Sequence, residues 1–431
     1  MNIIFCKGHF AGPISGADEL IVNNTIQLKK AGHNPSVLLL YRPLVDDQYL
    51  LRLQRAGISV QWITSSVIVD SLGIYCKIAR RLMETFPASR QLIRKNAHKM
   101  ALAQASRHLD ACRAYFEKSQ PDIVHVVSPN ASAMVMIRAA YVAGVPVLYQ
   151  ELGIPFHPPG YESQYEQFTS VLSACTEVAA LSPSLKQMCY EKLPSLNSLS
   201  VLPLLIEEGC NQIPLSKSSE QITFGFAARF EYMKGPLILL RAFAKVVREF
   251  PNVRLKMAGT GFQLKQCTAE AKQLGIEGYV TFTGLYTGVQ QRCEFMKGID
   301  LFVLPSLSEG TPTTIVEAMA HGVPAIVTNV GGIPDMITAE EGIIIPPEDS
   351  TALIDAMLRL TVNHELRWQM SGAATARYER LFSMQAVLPI IVNNYQRIVA
   401  SHYSCGSGVQ LNNRIPTHPW EMGKPEYVCI S

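Results

Sequence analysis

Short, continuously apolar runs alternate with helical segments along this chain, and that alternation leaves few folds open. NIIFC (2–6), SVLLLY (36–41), IVHVVS (123–128), AGVPVLYQ (143–150), VAALS (178–182) and LSVLPLL (199–205) lack the polar alternate positions of a half-solvated strand. A Gly-rich loop, GPISG (12–16), and a helix over about 17–31 that stops at Gly32 separate the first two. Strands that are apolar on both faces and joined through helices belong to parallel sheets covered on each side. EEGCNQIPLSKSSE (207–220) interrupts the series with the composition of a linker. The pattern then restarts: ITFGFAARF, a helix near 236–249, VRLKMAG, a helix near 263–274, YVTFTG, DLFVLPS, a short helix, PAIVT and GIIIPP. The expectation is an α/β protein of two doubly wound units, 1–206 and 221–385, facing a central cleft, with a helix over about 386–402 packing back on the first. The tail, 404–431, carries Gly, Asn and Pro without periodicity and is expected to be loosely held.

Composition narrows the function. A chain of 431 residues, 48% hydrophobic and 17% charged, has enough apolar material for two ordinary cores. A net charge of +3 gives no argument for a nucleic-acid partner. The ten cysteines are scattered without a C-x-x-C pair, which predicts reduced thiols and no structural zinc. No apolar stretch reaches the length of a membrane span, and MNIIFCKGHFAG lacks the basic start and long apolar segment of a signal peptide, so a cytoplasmic location is expected.

The richest stretch is SEGTPTTIVEAMAHGVPAIVTNVGGIPD (308–335). Thr311 suits a helix N-cap, Pro312 the first helical position, and Gly322 before Pro324 the end, predicting a helix over about 312–321. Glu309 then lies in the loop before this helix and Glu317 inside it, with the amides of Gly310, Thr311 and Thr313 between them. Free amides at the positive end of a helix favour an anion, and each carboxylate can accept two bonds from vicinal hydroxyls. Two diol clamps around an anion site fit a sugar nucleotide. A bland alternative makes both glutamates solvated surface residues, but Ile315, Ala318, Met319 and Ala320 leave the helix apolar, so Glu317 emerges near buried structure and needs a partner.

Glu-x7-Glu in this setting resembles the signature of the family 4 retaining glycosyltransferases, which have the GT-B fold of two Rossmann-like domains. The resemblance covers about residues 2–400: SGADELIVNNTIQLKKAGHNPSVL and PDIVHVV match the family's first helix and a later strand, AGTGF its G-x-G loop, and FAARFEYMKGPLILLRAFAKV the segment that supplies an Arg and a Lys to the donor diphosphate. Those two would be Arg229, ending an apolar strand, and Lys234, before a helix. The resemblance implies a nucleoside diphosphate sugar donor, a hydroxyl acceptor on a glycan or lipid-linked carrier, and retained configuration. Glu309 would bind the donor sugar, Glu317 the ribose, and the 310–313 loop through Gly310, Thr311, Pro312 and Thr313, with Arg229 and Lys234, the diphosphate. Gly16 would let the first helix approach a phosphate or sugar. No nucleophile is assigned, no cofactor is called for, and two cations at the diphosphate make a metal unnecessary.

Three departures from the family pattern stand out. YQELGIP has no histidine after the strand near 145–149, with Glu151 as its substitute; LPLLIE replaces an asparagine-glycine pair; and Ala228 replaces a glycine before Arg229. His157, a lone loop residue beside prolines, reads as structural. Two other functions stay open: a GT-B sugar-nucleotide epimerase and a catalytically inactive GT-B-like binding subunit. Residues 77–99 carry seven Lys or Arg against Glu84 alone, interleaved with apolar residues, and point to an anionic membrane surface as a partner, with peripheral attachment at its inner face.

Overall fold

A computed structural model describes residues 1–10, 15–65, 90–153, 168–194, 196, 198–206, 221–286 and 288–405. The linker 207–220, most of the basic stretch 77–99, His157 and the tail beyond 405 lie outside these residues.

Among the described residues thirteen strands form two parallel sheets. In the first, β1 (Asn2–Lys7), β2 (Asn34–Tyr41), β3 (Ser59–Thr64), β4 (Ile123–Val127), β5 (Val147–Glu151), β6 (Glu177–Ala180) and β7 (Leu199–Val201) run in the order β3-β2-β1-β4-β5-β6-β7. In the second, β8 (Ile222–Ala227), β9 (Val253–Ala258), β10 (Val280–Gly284), β11 (Leu301–Leu304), β12 (Ala325–Thr328) and β13 (Gly342–Ile345) run β10-β9-β8-β11-β12-β13. Central strands such as β4, β5 and β11 are buried along their whole length, which is why they read as unbroken apolar runs. The edge strand β3, SVQWIT, is exposed or half-buried throughout and carries no such run, so sequence periodicity misses it. Each sheet has its own core, Phe5, Phe116 and Tyr149 lying in one and Phe224, Phe243 and Phe302 in the other.

Helix ends follow local chemistry. Ser15 caps the helix Gly16–Lys30 by accepting from the Asp18 amide, and Asp18, fully buried in its first turn, is paired with Lys7 at the end of β1. The helix Met384–Cys405 returns to the first domain: Val387, Ile391, Tyr395 and Ile398, on one face at helical spacing, are buried in that core. Tyr395 Oη lies 2.8 Å from His125 Nδ1, and Arg397 forms a two-pronged pair with Glu177, Nη1 to Oε2 at 2.6 Å. Burial pushes the Glu177 carboxyl upward, but the bonds from Arg397, Ser200 and Ser198 outweigh it and leave its pKa below the ordinary value. Stability from this clasp is therefore present above the unfolded-state pKa and lost as pH falls through the lower folded value. Arg397→Ala is expected to cost about 1–2 kcal/mol in urea unfolding at pH 7, a figure reduced for the half-exposed arginine, and the gap from wild type should close in acid.

Cys6, Cys112, Cys175, Cys189 and Cys267 are free thiols, whereas Cys293 is disulfide-bonded. That corrects the expectation of reduced thiols throughout. Among the described residues no helix is long and apolar enough to cross a membrane.

Candidate active site

In the second sheet the winding direction reverses between β8 and β11, so the loops that leave these strands diverge and open a crevice at their carboxyl ends. Two backbone contacts tie the loops together within it. Gly235 has φ +66°, and a Cβ there would lie 2.2 Å from the Pro305 carbonyl oxygen; the Leu307 amide donates to the Met233 carbonyl at 2.8 Å. As a result Lys234 Nζ reaches Glu309 Oε2 at 2.6 Å, and Ser306 Oγ donates to Glu309 Oε1 at 2.7 Å. Glu309, only 6% exposed, is a buried carboxylate with a cation on one oxygen and a hydroxyl on the other.

The helix runs Thr313–Ala320, with Pro312 as its N-cap. This corrects the expected start: Pro312 has ψ 120°, so it stands outside the helix, and its carbonyl accepts from Ile315. Thr311 does not cap; its methyl packs so closely on Gly332 that a Cβ there would meet it at 2.7 Å. No side chain caps this N-terminus, which leaves its amides facing the crevice. Gly310 is held between two backbones: its carbonyl accepts from the Gly332 amide at 2.9 Å, and a Cβ on it would lie 2.5 Å from the Leu152 carbonyl oxygen of the first domain.

Glu317 is 8% exposed and receives the Tyr286 hydroxyl at 2.8 Å, with Arg292 Nη1 at 3.9 Å. Burial raises its pKa, against the pull of Arg292 and Tyr286, and Glu19 across the cleft adds to the rise. Glu317, Tyr286, Arg292 and Thr313 line a cavity whose opposite wall is Ser15, Gly16, Glu19 and Arg52 of the first domain. Arg52 and Glu19 pair at 2.7 Å on that wall. A Cβ on Gly16 would meet no atom within 4 Å, so packing does not demand glycine there; its small size keeps the cavity open.

The structure thus joins Lys234 to Glu309 before the helix and sets Glu317, Thr313 and Gly16 around one cavity. Arg229 is exposed and pairs with Glu231 at 2.9 Å, next to Ala228, which lines the cavity. Gly259 and Gly261, both at positive φ, let the loop after β9 rest on the backbone of Ala228 and Phe230. Tyr286, Arg292 and Ser306 were not singled out from sequence. Tyr286 could have been, since it follows β10 on the same rim; Arg292, inside the helix Gly288–Lys297, carries no local signal. Among the described residues no group of three His, Cys, Asp or Glu is placed to hold a metal ion.

Residues 211–377 match the family model described as Glycosyl transferases group 1. This stretch, less than half of the chain, is similar to the group 1 glycosyltransferases. Among curated relatives, this chain is 27% identical over 197 residues to D-inositol 3-phosphate glycosyltransferase of Saccharomonospora viridis, covering 43% of this chain and 45% of that protein. It is 26% identical over 258 residues to a putative teichuronic acid biosynthesis glycosyltransferase, TuaC, of Bacillus subtilis, covering 58% and 63%. The chain therefore aligns with about half the length of these relatives. Among solved structures, HepE of Anabaena in complex with UDP and glucose superposes with a TM-score of 0.68 at 18% identity, over 92% of this chain and 100% of that one. A glycosyltransferase of Rickettsia africae gives 0.66 at 17%, over 92% and 98%. At these identities the likeness establishes the fold, which is GT-B.

Proposed function

We propose that this chain transfers a glycosyl group from a nucleoside diphosphate sugar to a hydroxyl acceptor, with retention of configuration, in the assembly of a surface glycan or glycolipid. The observation that carries the reading is the pair of buried carboxylates, Glu309 and Glu317, on either side of an uncapped helix N-terminus. Glu317 would accept from the ribose hydroxyls inside the cavity, the amides at Thr313 and Thr314 would take the diphosphate, and Glu309 would orient the donor sugar. Lys234 has three N–H donors, so it can keep Glu309 and still bond a phosphate oxygen. Arg229 would join the diphosphate by exchanging its Glu231 partner. Catalysis then consists mainly of positioning and leaving-group stabilisation, and no divalent metal is invoked. That HepE was solved with UDP and glucose supports a sugar nucleotide as donor, and the TuaC name supports a glycan acceptor. A lipid-linked acceptor or an anionic membrane would be met by the basic stretch 77–99.

The test is a thermal-shift panel of UDP-, GDP-, ADP- and TDP-sugars, since a ligand bound only by the folded form raises its melting point. One donor class is expected to stabilise the wild type, and Glu317→Gln to weaken that donor about tenfold. Failure of every donor to shift the melting point rejects the proposal; an isomerised sugar nucleotide without transfer replaces it with epimerisation. The pH dependence has a definite sign. The ionised carboxylate is the stronger acceptor for both ribose hydroxyls, and its pKa is raised, so binding should weaken as pH falls, at a higher pH than for an ordinary glutamate, while Glu317→Gln loses this dependence.

A further inference from the structure

Glu151 ends β5, a central strand between β4 and β6, and is 4% exposed. Its Oε1 accepts from the amides of Leu152 at 3.1 Å and Gly153 at 3.2 Å, while the Tyr149 hydroxyl donates to Oε2 at 2.8 Å. One carboxyl group thereby folds the chain leaving β5 back on itself. The turn it makes is the surface against which Gly310 rests: a Cβ on Gly310 would stand 2.5 Å from Leu152 O and 3.1 Å from Gly153 Cα. On its other side the same loop is backed by Gly331 and Gly332. The residue before Gly310 is Glu309, so the geometry of the carboxylate site depends on a turn supplied by the other domain.

We infer that Glu151 is a positioning residue, whose carboxyl group shapes the Leu152–Gly153 turn into a buttress for the Gly310 loop and so couples the first domain to Glu309. It does not face the cleft and touches no reacting atom. Its pKa is raised to about 7 by burial, opposed by the bonds from Tyr149, Gly153 and Leu152. The titratable groups that face it are Tyr149 on its own strand and Cys189 on the helix Pro183–Lys192. Both protonation states fit the same contacts: the acid form donates from Oε2 to the Tyr149 oxygen, and Oε1 accepts from the two amides in either form. The raised pKa means that the folded site favours the neutral acid, the cost of burying a charge outweighing the stronger bonds it makes, so the buttress should loosen as pH rises through 7.

Hydrogen exchange followed by mass spectrometry on the full chain, without ligand and corrected for intrinsic rates, tests this. Glu151→Ala is expected to speed exchange about tenfold in peptides spanning 150–153 and 308–312, leaving β8 to β10 unchanged. Glu151→Gln, which mimics the neutral acid, should keep the buttress and rescue most of that protection. Wild type should lose protection at 308–312 between pH 6 and 8, whereas Glu151→Gln stays flat. Wild-type exchange at 308–312 in Glu151→Ala overturns the inference, as does acceleration spread equally over β8 to β10. The consequence for turnover, a fall in kcat with an unchanged donor KM in Glu151→Ala, rests on the transfer reading above. The exchange result does not, so a protein that binds no sugar nucleotide yet shows the expected exchange would sink the transfer reading alone.

Discussion

Lys234→Ala is expected to lower kcat for donor turnover about 10²- to 10³-fold, read as release of nucleotide from the sugar donor that the thermal-shift panel selects. Lys234 Nζ sits 2.6 Å from Glu309 Oε2, and the lysine is mostly buried. On the proposed transfer reading, removing it takes away a positive charge where the leaving diphosphate would become more negative, and it also leaves a buried carboxylate whose remaining bond is from Ser306. Both effects act in the same direction, but they separate in a double variant. Lys234→Ala with Glu309→Gln removes the stranded charge and should recover part of the lost stability, while the rate stays low. A rate near wild type in Lys234→Ala would remove this cation from the leaving-group role, whatever its effect on stability.

Gly331→Ala is expected to cost about 3 kcal/mol in urea unfolding and to abolish donor turnover. Gly331 has φ +56°, a conformation an alanine adopts only with strain, and a Cβ on it would fall 1.7 Å from the Glu309 carbonyl oxygen. No flexible side chain can give way, because the obstacle is the backbone of the residue that carries the acid. The loop after β11 must move, and the Glu309 contacts with Lys234 and Ser306 move with it. Gly372→Ala is the control: it lies in the helix His364–Leu381 with no atom within 4 Å of the added methyl, and should be neutral or stabilising by up to about 1 kcal/mol. Equal stability of the two variants would mean that the 309–310 and 331–332 segments do not pack as described.

Both predictions concern contacts that no window of sequence displays. Among the described residues the periodicity of the chain was enough to read twelve of the thirteen strands, most of them buried on both faces and therefore apolar along their length. It failed at β3, where an edge position removes that requirement. Turn chemistry located the helix after Glu309 but set its start one residue early, with Thr311 as cap and Pro312 as first helical residue, whereas Pro312 itself stands at the cap and Thr311 packs on Gly332. The motif likewise singled out Glu309 and Glu317 without their partners.

What the sequence determined by itself was the class of fold, the two acids and the helix between them, because these depend on interactions within a few residues or on the repeat of a single element. Only the tertiary structure decided which of two cations meets Glu309: Lys234, 75 positions away, does, and Arg229 does not. It also decided that Tyr286 and Arg292 hold Glu317, and that Glu151 shapes the surface behind Gly310. The physical reason is that loop conformation and strand order set these distances. The reversal between β8 and β11 opens the crevice at their carboxyl ends, and the positive φ of Gly235 lets the backbone of one loop settle on the other there.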